Sequence, residues 1–289
     1  MSKTLQDLTL KNSFMFAAVM MEPENCKALL ERILEKEIDH VVVDKEKSIV
    51  YHPEYKSVRL DVYAKDEEGR HFNVEMQVAK KEIVKRARYY HSQLDMNLLL
   101  TGMDYENLPN CYVIFICDYD PFGLKKYRYT VKSSFLEDNS LPYDDGSYTV
   151  FLSTKGENRD EVPKELVSFL EYAGADREQA EKDFHDEYVS RLQETVAKIK
   201  RDREMGVRYM LFSELLKDEF LAGEAKGEAK GEAKGKAYSI TVLLNMLGDV
   251  SEELASKIRQ VTDAEKQDEL LKLAAVSKTV EEFEEKAGL

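Results

Sequence analysis

Two short runs of alternating apolar and polar residues, joined by a turn, constrain this chain more than any other feature. They are Val58-Arg59-Leu60-Asp61-Val62 and Phe72-Asn73-Val74-Glu75-Met76-Gln77-Val78. A period of two marks strands with one apolar face, and it turns Asp61, Glu75 and Gln77 away from the branched and aromatic side chains. The link Asp66-Glu67-Glu68-Gly69 supplies Asp where a type I turn uses a side-chain acceptor and Gly where the backbone needs positive φ. Antiparallel pairing about this turn, with a Gly bulge allowed at residue 69, sets Asp61 opposite Val74 or Glu75.

Two carboxylates side by side repel unless a proton or a cation stands between them. An oxygen-rich corner of this kind suits magnesium, with manganese as the alternative, and makes Asp61 and Glu75 candidate metal ligands. Gln77 lies two positions after Glu75 on the same face, where its amide can ligate an ion or hold a water or phosphate, but cannot act as a base or a point charge. The competing reading is an exposed hairpin face whose acids are simply solvated.

From Ala79 to Tyr90 the chain places five basic residues against one acid, in a protein of net charge -14. Ile83, Ala87, Tyr90, Leu94 and Leu98 recur at helical spacing, which predicts a long helix with Lys85 and Arg86 on or near its polar flank. Such a helix can meet a phosphate backbone, so Lys85 and Arg86 are candidate DNA contacts; a solvated helix face accounts for the same charges.

The ordered set Leu60-Asp61-Val62, Gly69, Asn73-Val74-Glu75-Met76-Gln77, Arg86-Ala87-Arg88-Tyr89-Tyr90 and Gly102-Met103-Asp104-Tyr105 resembles the bacterial recombination-promoting nuclease and transposase group of the PD-(D/E)XK nuclease superfamily. The likeness includes Lys11-Asn12-Ser13-Phe14-Met15-Phe16, extends to about residue 155, and is looser in the charged tail. It implies an α/β fold with a restriction-endonuclease-like mixed-sheet core and metal-dependent DNA cleavage. Residue by residue, it implies that Asp61 is the metal-binding Asp, Glu75 the second acid, and Gln77 the occupant of the position that carries Lys in the wider superfamily. There the chain departs from the common pattern, because Gln offers only neutral hydrogen bonds.

At 289 residues and 43% hydrophobic content, the chain can form a sizeable catalytic domain plus an appendage. The N-terminal residues carry no charged leader ahead of an apolar segment, and no apolar run nears membrane-spanning length. A cytoplasmic protein with no membrane partner is expected. Cys26, Cys111 and Cys117 form no C-x-x-C pair; Cys111 and Cys117 share parity on a predicted central strand and read as core. Two helices precede the hairpin, the second opening at Pro23 with Cys26, Leu29, Leu30, Ile33 and Leu34 as its apolar stripe, and Glu22 and Glu31 read chiefly as surface charge. A strand near residues 45 to 51, another over Tyr112 to Ile116, and further strands at Tyr127 to Val131 and Thr149 to Leu152 give an α-β-β-β-α-β layout with additions.

The pattern changes to charged helices beyond Pro163, which suggests a nuclease-like domain over residues 1–160 and a helical extension over 161–289. One long charged helix is predicted over residues 176 to 208. Within the extension, residues 223–235 repeat Gly-Glu-Ala-Lys with a closing Gly. Like charges recur at i,i+4 and each Gly costs about 1 kcal/mol relative to Ala, so the repeat makes a poor isolated helix. It needs a partner helix or serves as a flexible spacer; a homodimer through the extension is one outcome of the first. It is not a phosphate loop, since no Lys-Ser or Lys-Thr follows in the required order.

Three functions fit this sequence. A magnesium-dependent DNA endonuclease, linked to recombination or mobile-element activity, uses Asp61, Glu75 and Gln77 together with the basic helix. A catalytically weak or inactive DNA-binding protein keeps the same surfaces, and a helical interaction protein leaves the hairpin acids solvated.

Overall fold

A computed structural model describes residues 4–44, 48–49, 58–261 and 263–288. The hairpin is central to it: β4 (Val62–Asp66) and β5 (His71–Gln77) pair antiparallel with Val62 opposite Val74 and Tyr63 opposite Asn73. The same register, continued by one residue, brings Asp61 to Glu75. Gly69 takes a φ of 78°, the left-handed conformation that the turn demanded, and its N–H donates to the Asp66 carbonyl at 3.1 Å.

Six strands form one mixed sheet in the order β1-β4-β5-β6-β8-β7, where β1 is Val41–Asp44, β6 Cys111–Cys117, β7 Arg128–Val131 and β8 Ser147–Ser153. The inner pairs β5/β6 and β6/β8 are parallel and the others antiparallel. The sheet strand nearest the one predicted over 45 to 51 is thus Val41–Asp44. Of the predicted span, Ser48–Ile49 forms a separate two-residue pair with Val58–Arg59 (β2 and β3), and residues 45–47, 50 and 51 lie outside the described residues.

Helices cover both faces of the sheet. Helix α3 (Ile83–Leu98) packs Ile83, Ala87, Tyr90 and Leu94 against Cys111, Val113, Phe115 and Cys117, so the shared parity of the two cysteines does mark one buried face. On the other side, α1 (Ser13–Met20) meets β5, and α2 (Pro23–Leu34) meets β1. Asn12 accepts hydrogen bonds from the Phe14 and Met15 amides, which starts α1, and Pro23 sits at the first turn of α2. Glu22 pairs with Lys198 at 3.3 Å, and Glu31 accepts from the Ile38 amide at 3.1 Å; both act as local ties.

The first compact unit runs to Tyr209, beyond the composition change near residue 160. Its last helices, α4 (Lys164–Ala173) and α5 (Glu187–Arg201), pack against each other and against α2, and α5 also meets α1. Their charged outer faces make them look like an extension in sequence while their apolar stripes complete the core. Of the predicted helix over 176 to 208, α5 begins only at Glu187, capped by Asp186, and it breaks at Asp202, whose Oδ1 accepts from the Glu204 and Met205 amides as α6 (Arg203–Asn245) begins. The second unit spans Met210–Leu289. In it Ala237, Ile240 and Leu244 pack with residues of α7 (Glu252–Gln260), α8 (Ala264–Val276) and α9 (Val280–Ala287). The Gly-Glu-Ala-Lys repeat is helical, as part of α6. Among the described residues no helix is long and apolar enough to cross a membrane.

Candidate active site

At the carboxyl end of β5, the two predicted acids lie side by side. The Asp61 N–H donates to Glu75 Oε1 at 3.3 Å, and the Met76 N–H donates to Asp61 Oδ2 at 3.1 Å. Each acid is therefore held by a backbone amide that the hairpin register positions. Glu75 is 1% exposed because α3 covers its face of the sheet, which excludes the solvated hairpin. Alternation mimics a half-exposed strand here: His71, Asn73, Glu75 and Gln77 form the polar parity of β5, yet all are buried.

Arg86 points inward from α3. Its Nη2 donates to Glu75 Oε2 at 2.6 Å and its Nη1 to Gln77 Oε1 at 2.6 Å, while Nε donates to the Tyr90 hydroxyl at 2.8 Å. The guanidinium carbon stands 5.0 Å from the Tyr90 ring centre and 5.4 Å from that of Phe115, so aromatic faces support the charge. Arg86 thus belongs to the acid site itself, whereas Lys85 remains exposed and its amide donates to the Glu82 helix cap at 3.1 Å. The Gln77 amide nitrogen donates to the Ala79 carbonyl at 2.5 Å, which fixes its oxygen toward Arg86.

Burial pushes the Glu75 carboxyl up to about 8, and the Asp61 charge adds to the rise while Arg86 opposes it. Burial works most strongly against the Arg86 charge, but Glu75, Tyr90 and Asp61 together outweigh it and the net shift is upward. Tyr90 is raised as well, first by burial and then by Glu75, so its hydroxyl stays protonated. The site at rest contains one guanidinium shared between a buried carboxyl and a neutral amide.

The donor set is all oxygen: two carboxylates and the Gln77 amide. Among the described residues no group of three or more His, Cys, Asp and Glu converges, so thiolate or imidazole metal sites have no counterpart here. Two adjacent acids, one of them raised first by burial and then by its neighbour's charge, fit a hard divalent cation, which would take the place of the Glu75 proton.

Sequence reasoning missed three arrangements. Tyr90 reads as one residue of an apolar stripe, although Arg86 lies four residues before it and shares its side of the helix. Asp66 reads only as a turn residue, yet its Oδ2 holds the buried Arg70 Nε at 2.5 Å. Asp118 lies in the turn-like run after β6, but it pairs with Lys11 at 3.0 Å and Lys155 at 2.9 Å, which ties the residue before the α1 cap to the end of β6.

A family model for PD-(D/E)XK nuclease family transposases matches residues 10–219. No curated protein and no solved structure matches the chain.

Proposed function

Because the chain belongs to the PD-(D/E)XK nuclease family transposases, a nuclease or mobile-element role is its starting point, and we propose that it is a magnesium-dependent DNA endonuclease acting in the cytoplasm in recombination or mobile-element movement. The observation that carries this reading is the Asp61–Glu75 pair, held by the amides of Met76 and Asp61 beside Gln77. Asp61 and Glu75 would hold the cation, with manganese able to substitute and the Gln77 oxygen as a neutral donor. When bound, the ion supplies neutralisation of charge on the phosphate and acidification of the attacking water. The products are a 5′ phosphate and a 3′ hydroxyl.

The chain's own residues do the rest. Glu75 must give up a proton that burial holds to about 8, so activity rises with pH toward that value. Arg86 stays charged throughout and, released from Glu75, can donate two N–H groups to a phosphate oxygen. Tyr90 keeps Arg86 on the site side of α3, and Lys85 on the outer face supplies non-specific attraction to the backbone. The test is magnesium-dependent cleavage of supercoiled, linear and single-stranded DNA, with the Glu75→Ala protein as control. Cleavage by wild type alone is expected; no cleavage across a broad screen of metals and substrates refutes the endonuclease. A second reading, DNA binding without cleavage, draws on Arg86 already occupying Glu75 and Gln77 and on Gln77 carrying no charge.

A further inference from the structure

On the other flank of α3, away from Asp61, a groove of about 470 Å³ runs between the helix and strands β7 and β8. Val84, Phe122 and Val131 line it and are 53%, 41% and 51% exposed, an unusual gathering of large apolar side chains at one open surface. Phe122 meets Phe151 edge-on at 5.1 Å and Tyr129 edge-on at 4.9 Å, so packing fixes its ring while leaving it open to the groove. Arg88 and Lys132 also line the groove, and among the described residues neither holds a carboxylate at ion-pair distance. His91 is 9% exposed; its Nε2 lies 3.0 Å from Thr149 Oγ1 while its Nδ1 has no partner. Burial holds its pKa down to about 4, so the imidazole is neutral.

The groove and the acid pair share one helix and one layer of rings. Tyr90 stacks on Phe115 at 6.0 Å, and Phe115 on Phe151 at 5.7 Å. Glu75 is in register with Phe115, and Phe115 with Phe151. Two strand spacings therefore separate Glu75 from the groove floor, about 10 Å, or about three stacked steps of a nucleic-acid strand. Asp95 lines the groove eleven residues along α3 from Val84, about 16 Å by helical rise. Asp145, which accepts from the groove-lining Ser133 at 2.9 Å, acts electrostatically on Asp95 and His91, so the acids gather at that end and Val84, with Arg88 one turn on, marks the apolar and basic end.

An aromatic and aliphatic wall with two exposed cations beside it, Arg88 and Lys132, matches a planar base attached to phosphates. We propose that this groove takes an unpaired nucleobase of the strand being cut, a few nucleotides from the scissile phosphate, with Phe122 and Val131 against the base and Arg88 and Lys132 on the flanking phosphates. A base inside a duplex reaches such a wall only by leaving the stack, so single-stranded or branched DNA is the favoured substrate class. This assignment rests on the nuclease reading for the position of the cut, but not for the binding of the base.

The test uses the full-length protein with a chelator present and a single-stranded oligonucleotide carrying 2-aminopurine, compared with an abasic oligonucleotide of equal length and with duplex. Wild type is expected to bind the base-bearing strand about tenfold more tightly than the abasic one. Phe122→Ala should remove most of that difference, and Val131→Ala, at an exposed position that leaves folding intact, about threefold of it; neither should change abasic binding. Equal affinity for base-bearing and abasic strands in wild type, or an unchanged preference in both variants, overturns the proposal. A change in light-scattering mass in the variants with base preference intact gives the groove to a second copy and overturns it too. If the base preference and its loss appear but magnesium brings no cleavage, the groove stands and the nuclease reading falls. Cleavage without base preference keeps the nuclease reading and removes the groove.

Discussion

Glu75→Gln should make the resting protein more stable at neutral pH while abolishing its response to magnesium. Glu75 is held to about 8 by burial, against an ordinary 4.5. For an acid raised in the folded state, the native protein keeps a proton that the unfolded chain releases, so stability falls as pH rises from about 4.5 to about 8 and is level outside that window. At about 1.36 kcal/mol per pH unit, the burial of Glu75 costs about 3 kcal/mol at pH 7 and about 5 kcal/mol at pH 8 and above. Glutamine removes that cost but can accept from only one of the two donors, Asp61 N–H or Arg86 Nη2; the lost hydrogen bond and a guanidinium short of one partner cost about 2 kcal/mol together.

The variant is then expected to be less stable than wild type by about 1 kcal/mol at pH 5, equal near pH 6, and more stable by about 2–3 kcal/mol at pH 8. Denaturant melts followed by near-ultraviolet tyrosine dichroism measure this directly, because every tyrosine except Tyr238 lies in the unit ending at Tyr209. Magnesium should stabilise wild type and not the variant, since only a carboxylate exchanges its proton for the ion. A difference that stays constant within about 1 kcal/mol from pH 5 to pH 8 refutes the argument that Glu75 is held protonated by burial.

Asp61→Ala should lose magnesium binding in calorimetry while keeping its far-ultraviolet spectrum; undiminished binding removes Asp61 from the site. Asp66→Ala leaves the buried Arg70 without its 2.5 Å partner and should destabilise the hairpin unit by about 3–5 kcal/mol, read from the same melts. Lys85→Glu should weaken binding to unrelated DNA sequences alike and lower the salt slope by about 1, whereas unchanged slope puts the attraction on another surface. At Gly231 and Gly235 an added Cβ meets nothing within 4 Å, so Gly231→Ala and Gly235→Ala should each strengthen α6 by about 0.5–1 kcal/mol. A loss of stability with a smaller light-scattering mass would instead show close helix pairing at the repeat.

What the sequence made legible was local and periodic. The alternation, Asp66 and Gly69 fix the hairpin, and the Val62–Val74 pairing follows from its geometry. What it left illegible depends on partners distant in the chain. A strand with polar residues at every second place reads as half-exposed, and nothing within it says that α3 will cover those residues. Arg86 lies at the edge between the apolar stripe and the polar flank, where periodicity gives no direction; Glu75 and Gln77, eleven and nine residues earlier, decide it. The composition change near residue 160 and the end of the first compact unit at Tyr209 differ for a similar reason, since α4 and α5 have charged outer faces and apolar inner ones. The repeat needed a partner helix, and α8 provides contacts at its end: Gln267 donates to the Ala233 carbonyl at 3.1 Å, and Asp268 pairs with Lys236 at 2.7 Å.

Moving the positive charge from a strand side chain to a helix has a physical consequence for the site. A lysine at position 77 would sit on the same strand as Glu75, its charge confined to that strand's edge. Arg86 instead reaches across from α3 and bridges Glu75 to Gln77 with two separate nitrogens, so the neutral amide serves as the second arm of a clamp. That clamp offsets part of the cost of a carboxyl that is 1% exposed and allows the acid pair to be assembled before any cation arrives. Asp61 and Glu75 would be the residues to hold a divalent cation, which would supply the positive charge that Arg86 now offers Glu75 and so leave the guanidinium able to donate to a phosphate. One residue thereby stabilises the resting site and, on the nuclease reading, would serve the substrate as well, a double role that a strand side chain at position 77 alone could not supply.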